Sequence, residues 1–93
     1  MNKIDIHREL CNQIHAIYKQ KNQAYGDSFG RSFQDWGITS AAVRISDKFN
    51  RFVNLSKNTD VDTGDEPIID TLLDLANYCL MTVIELEKKY GNN

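Results

Sequence analysis

Two rows of charge, set at helical spacing on neighbouring stretches, hold the residues of this chain that could do chemistry. Glu66, Asp70, Asp74 and Asn77 recur at steps of three and four, which places them along one side of a helix as a row of oxygen ligands. Arg44, Asp47, Lys48 and Arg51 recur at i, i+3, i+4 and i+7, a second polar stripe that is mostly basic. Carboxylates crowded one turn apart repel unless a cation lies near. A divalent ion, Mg2+ above all, takes carboxylates, water and phosphate oxygens together. The spacing therefore predicts Mg2+ on Glu66, Asp70 and Asp74, with Asp47 as a fourth carboxylate, and Arg44, Lys48 and Arg51 on a phosphate chain. A metal so held could polarise a phosphoryl oxygen and generate a hydroxide nucleophile. The plainer alternative is that the two rows pair with each other. Exposed ion pairs contribute about 0 to 1 kcal/mol each, so gathering each sign onto one face would gain little by pairing alone.

Other candidates carry weaker signals. Tyr25, Phe29, Phe33 and Trp36 cluster around a turn, where aromatic rings either stack on a base or close a small core. His7 and His15 are about two helical turns apart, too far along the axis to share a metal easily, and read as helix-surface residues. Cys11 and Cys79 have no Cys or His neighbour at metal-ligand spacing, so they read as buried thiols in a reducing cytosol. Neither GxxxxGK[ST] nor GxGxxG occurs, which excludes the two commonest glycine-loop phosphate cradles. Asn58 to Gly64 is rich in aspartate but fails the calcium-loop frame, with no glycine sixth and glutamate twelfth.

The elements that must position these residues are helices. Asp65 to Leu86 reads as one long helix started by Pro67 in its first turn with carboxylates beside it. Leu72, Leu75, Cys79, Val83 and Leu86 form its expected buried stripe. Leu73, Leu80 and Met81 border the acidic row and predict that it lies in a crevice. A helix from Thr39 or Ser40 to about Ser56, capped by those hydroxyls, should bury Ala42, Ile45, Phe49 and Phe52. A first helix from about Ile4 to Ala24 carries Ile6, Leu10, Ile14, Ile17 and Tyr18 on one face and ends at Gly26, and a short helix precedes Gly37. Lys57 to Gly64 reads as a loop. So short a connection makes the last two long helices antiparallel neighbours, and puts the basic and acidic rows across one gap.

The chain of 93 residues reads as one domain, an all-α bundle of three to four main helices, small enough that oligomerisation is an expected remedy for a limited core. One Pro and five Gly argue against disorder. A net charge of −2 argues against non-specific attraction to DNA or to anionic membranes. Charges in MNKIDIHREL stand where a secretory signal would be apolar, and no stretch approaches the roughly 20 residues of a membrane span. A cytoplasmic protein is expected.

The segments KNQAYGDSF, RISDKFNRF and DEPIIDTLLDLANYCLMTVIEL together resemble the nucleotide modification associated domain family, first of that name, small helical proteins common in phages and their bacterial hosts. The resemblance covers about Ile14 to Leu86, its most specific part being DTLLDLANY after an acidic residue, and implies a link with nucleotide metabolism. The arrangement is also similar to the MazG-like all-α NTP pyrophosphohydrolases, in which Glu-x-x-Glu on one helix and Glu-x-x-Asp on the next surround Mg2+. This chain departs from that pattern: its acidic row steps by four, and the preceding helix offers Asp47 alone. Three functions follow as expectations. One is a Mg2+-dependent enzyme cleaving a nucleoside triphosphate between its α and β phosphates. The second is a non-catalytic sponge for a nucleotide, such as a signalling nucleotide of host defence. The third is a structural or partner-binding module. In the first two, Arg44, Lys48, Arg51, Asn77, Tyr25, Phe29 and Trp36 contact the nucleotide, and a neighbouring subunit could complete the site.

Overall fold

Glycines at Gly26 and Gly37 break the N-terminal two-thirds of the chain into three helices, and a fourth follows after a polar segment. A computed structural model describes residues 1–58 and 66–91. It contains α1 (Lys3–Tyr25), α2 (Ser28–Trp36), α3 (Ile38–Lys57) and α4 (Glu66–Lys89), with no strand among the described residues. The all-α reading holds, and the expected helix ends are met within three residues. Most of the expected loop, and Asp65 with it, lies outside the described residues.

Local chemistry explains the breaks. Asn2 caps α1, its side chain accepting from the Asp5 amide at 2.9 Å. Gly26 ends α1 in the left-handed region at φ 61°, where glycine carries no Cβ penalty. The Arg31 guanidinium returns from α2 to the carbonyls of Tyr25 and Gly26, which binds the two helices across the turn. Gly37 joins α2 to α3 at φ 73° and ψ −163°, a conformation open essentially to glycine alone. Ser40 does not cap α3 as expected: its hydroxyl donates to the Gly37 carbonyl at 2.8 Å, and no side chain caps that terminus. With Gly37 as its N-cap, the helix begins two or three residues earlier than a cap at Thr39 or Ser40 would place it.

Helices α3 and α4 run antiparallel, with Lys48 opposite Asp74 and Arg51 opposite Thr71. Helix α1 also opposes α4, tied by the Asn77 amide donating to the Ile14 carbonyl at 3.0 Å. Helix α2 packs across α3 and α4. Its Gly30 allows the close approach, because a methyl there would run into the carboxylates of Asp27 and Glu85. Ile14, Phe33 and Ala41 are the buried apolar side chains among the described residues, and Thr71 is buried as well. Thr71 satisfies its hydroxyl fully, donating to the Pro67 carbonyl at 2.7 Å and accepting from Arg51 Nε at 3.1 Å.

Several burial expectations are corrected. On α4, Leu72, Cys79 and Val83 are exposed, while Leu75 and Leu86 are half-buried. On α3, Ala42 and Phe49 are exposed, and Ala41 replaces Ala42 in the core. The first half of α1 stands clear of the bundle, leaving Ile4, Ile6 and Leu10 exposed. Cys11 and Cys79 are free, exposed thiols rather than buried ones. The common cause is orientation: α3 and α4 meet through their polar stripes, so their apolar stripes turn away from each other's helix axis and from the chain's own core. Pro67–Lys89 is also long and apolar enough, by those measures alone, to cross a membrane, contrary to the expectation that no stretch approaches that length. The helix continues past Leu86.

Candidate functional site

The polar stripes of α3 and α4, together with the last two turns of α1 and the first turn of α2, enclose a cleft of about 450 Å³. That volume lies in the ordinary range for small-molecule sites. Helix α3 supplies Ser40, Arg44 and Lys48 at one-turn steps, and α4 supplies Asp74, Asn77, Tyr78 and Met81. Helix α1 contributes Tyr18, Lys21, Asn22 and Tyr25, and α2 contributes Ser28, Phe29 and Ser32.

Charge in this cleft is arranged around Asp74. Lys48 Nζ donates to its Oδ2 at 3.1 Å, and Lys21 Nζ stands 3.8 Å from its Oδ1. Three cationic side chains, Lys21, Arg44 and Lys48, line the cleft against the single carboxylate of Asp74. The cleft is thus positive in a chain whose net charge is −2. Arg44 makes no ion pair with any described residue and is exposed. Its planar fork is therefore available to an oxyanion.

The opposite wall is aromatic. Phe29 packs on Tyr78 with ring centroids 5.9 Å apart and planes inclined at 37°, an ordinary aromatic pair. Tyr25, 67% exposed, stands beside it at the mouth. Asn22 bridges the wall to the turn, donating to Tyr18 Oη at 3.4 Å and to Asp27 Oδ1 at 3.0 Å. Hydroxyls of Ser28, Ser32 and Ser40 supply further hydrogen-bonding groups around the cavity.

The cleft gathers six of the residues singled out by spacing: Arg44, Lys48, Asp74, Asn77, Tyr25 and Phe29. Asn77 plays a double part, since one amide proton is committed to Ile14 while the residue faces the cavity. Four others lie elsewhere. Arg51 is held on the α3–α4 seam by Thr71, Trp36 ends α2 at 76% exposure, and Asp47 and Asp70 are exposed outside the lining. The Glu66 side chain lies outside the described residues. Among those that are described, no three His, Cys, Asp or Glu residues stand close enough to hold a metal ion, and Asp74 already serves two ammonium groups.

Spacing assigns Tyr18 to the apolar face of the first helix and does not single out Lys21, Asn22 or Tyr78. A signal for Lys21 existed. Ile14, Tyr18, Lys21 and Tyr25 follow one another at steps of four, three and four, so Lys21 continues the inward face of α1 rather than its solvent face.

What the arrangement can do chemically is hold an anion against three cations while an attached ring lies on Phe29, Tyr78 or Tyr25. Phosphate oxygens suit the first, and a nucleobase suits the second, because any base offers a π face. Comparison with known proteins adds a family to this geometry. No curated protein and no solved structure matches the chain. The family model described as nucleotide modification associated domain 1 matches residues 21–86, a span that contains every cleft-lining residue except Ile17 and Tyr18, and the chain belongs to that family.

Proposed function

We propose that this protein binds a nucleotide, gripping its phosphate with Lys21, Arg44 and Lys48 and stacking its base on the Phe29, Tyr78 and Tyr25 wall. The observation that carries this reading is the meeting, in one cavity of about 450 Å³, of three cations, one carboxylate and four aromatic rings. A structural seam would pair its charges evenly; this one leaves the excess positive. The family's association with nucleotide modification supports the same class of ligand.

Binding without turnover is the better supported form. Hydrolysis of a phosphoanhydride needs a water activated by a metal or by a base. Asp74, the carboxylate that lines the cleft, is shared by Lys48 and Lys21, which favours its role as a counter-charge. When a phosphate arrives, Lys48 and Lys21 exchange that carboxylate for the ligand's oxygens.

The test is thermal stabilisation by a panel of NTPs, dNTPs and cyclic dinucleotides, each in EDTA and in Mg2+, since any ligand of the native state raises its stability by mass action. A shift in EDTA, with the nucleotide recovered intact, meets the proposal. Stabilisation by none of the panel would overturn it, and release of product in Mg2+ would return the chain to the pyrophosphohydrolase reading.

A further inference from the structure

We infer that the chain pairs with a second copy of itself through the outer face of the α3–α4 hairpin, two hairpins closing into a four-helix bundle with the nucleotide clefts facing away from the interface. The two apolar stripes that periodicity marks for burial are the ones the single chain leaves open. Ile38, Ala42, Ile45 and Phe49 follow one another along α3 and, with Thr82 of α4, line an apolar groove of about 440 Å³. Leu72, Cys79 and Val83 continue exposed apolar surface along α4. No residue of either stripe lines the cleft, so the hairpin is polar toward the cleft and apolar on another face.

Surface area argues for a second copy as the occupant. A compact monomer of this mass would expose about 5,500 Å², whereas the chain, of 10.7 kDa, exposes 7230 Å². The excess, about 1,700 Å², includes the free first half of α1 and still leaves room for the roughly 800 Å² that each partner of a standard interface buries. The radius of gyration agrees: it is 15.0 Å, against about 12 Å for a compact chain of this length. Helix α4 is apolar enough by composition to pass for a membrane span, yet Thr71 is its one buried residue among those described. Such a helix normally sits in the middle of a core. A second copy supplies that core with a face of the same chemistry, since an isologous interface brings the same patch from both partners.

Sedimentation equilibrium of the full chain without detergent tests this, alongside the variants Phe49→Glu and Val83→Glu. The wild type is expected at about twice its chain mass at 10 µM, and each variant is expected to weaken association at least 100-fold while keeping nucleotide binding, because neither residue lines the cleft. A wild type that stays monomeric at 100 µM would overturn the inference, as would glutamate variants that remain dimeric. Should the variants fail to fold, thiol labelling of the wild type decides. Cys79, on the hairpin's outer face, is expected to react with a maleimide at least tenfold more slowly than Cys11 on α1; equal rates would overturn the pairing. Monomeric protein that co-sediments with phosphatidylcholine vesicles would assign the face to a membrane surface and also overturn it.

Discussion

Replacing Asp74 with Asn should tighten phosphate binding, and the size of the gain follows from the cleft itself. The carboxylate stands 3.1 Å from Lys48 Nζ, so a phosphate taken up by that ammonium comes within about 5 Å of it. Two like unit charges at that distance, at an effective dielectric constant of about 40, repel by about 1.7 kcal/mol. At 0.15 M salt the Debye length of about 8 Å reduces this to about 0.9 kcal/mol, close to fivefold in affinity. The substitution also takes from Lys48 and Lys21 the partner that competes with the ligand. Its cost to folding is small, about 0.5 kcal/mol, because Asp74 is 31% exposed and Lys21 61% exposed, and partly solvated pairs contribute little. Isothermal titration of wild type and Asp74→Asn with ATP and with inorganic pyrophosphate, both in EDTA, measures the difference. Tighter binding, larger at 20 mM than at 150 mM salt, is the expected result. Loss of binding in the variant would refute the reasoning, because it would make Asp74 a ligand for a metal or for the nucleotide rather than a counter-charge.

Lys48→Met and Arg44→Met are each expected to weaken ATP binding about 10- to 100-fold in the same titration, the range for losing a charged hydrogen bond, while Arg51→Met, on the Thr71 seam, leaves it within about twofold. Thr71→Val keeps the shape of the buried side chain but removes both of its side-chain hydrogen bonds, and urea unfolding should show a loss of about 1 kcal/mol. Gly37→Ala meets nothing within 4 Å, so its expected loss of about 1 to 3 kcal/mol in the same assay comes from backbone conformation alone. ATP affinity measured in Mg2+ and in EDTA should differ by less than about threefold; a loss beyond tenfold in EDTA would place a divalent ion in the cleft.

Much of this architecture is written in local sequence. Asn2, Gly26, Gly37 and Pro67 mark helix limits through cap and turn chemistry that acts over a few residues. The crevice is legible too, because Arg44, Lys48, Asp74 and Asn77 share faces whatever the rest of the chain does, and a short connection leaves the helices that carry them side by side. Trp36 and Arg51 escaped that logic. Trp36 belongs to the aromatic cluster in sequence, but α2 turns its last residue outward at 76% exposure. Arg51 continues the basic stripe by spacing, yet Thr71 reaches it first on the seam. Lys21 was hidden for the opposite reason. A lysine among Lys19, Gln20 and Asn22 has the composition of a solvent face, and only its step from Ile14 and Tyr18 reveals that it borders the cleft.

The least legible property was which face of a helix counts as the inside. Periodicity finds an apolar stripe and assigns it to a core, but it does not say whose core. In α3 and α4 the stripe at Phe49 and Val83 is as regular as any in the chain, and both residues are about half exposed, at 53% and 49%. The buried positions are Ala41 and Thr71, small residues at which two helices can approach closely enough for Lys48 to reach Asp74. Close approach along the polar seam and burial of the apolar stripe are thus competing demands on one helix pair. A single chain meets the first, and association would meet the second without disturbing it. A cleft built on one side of a hairpin could then stay charged because association would bury the apolar stripe on the other side, where binding chemistry places no constraint on the residues.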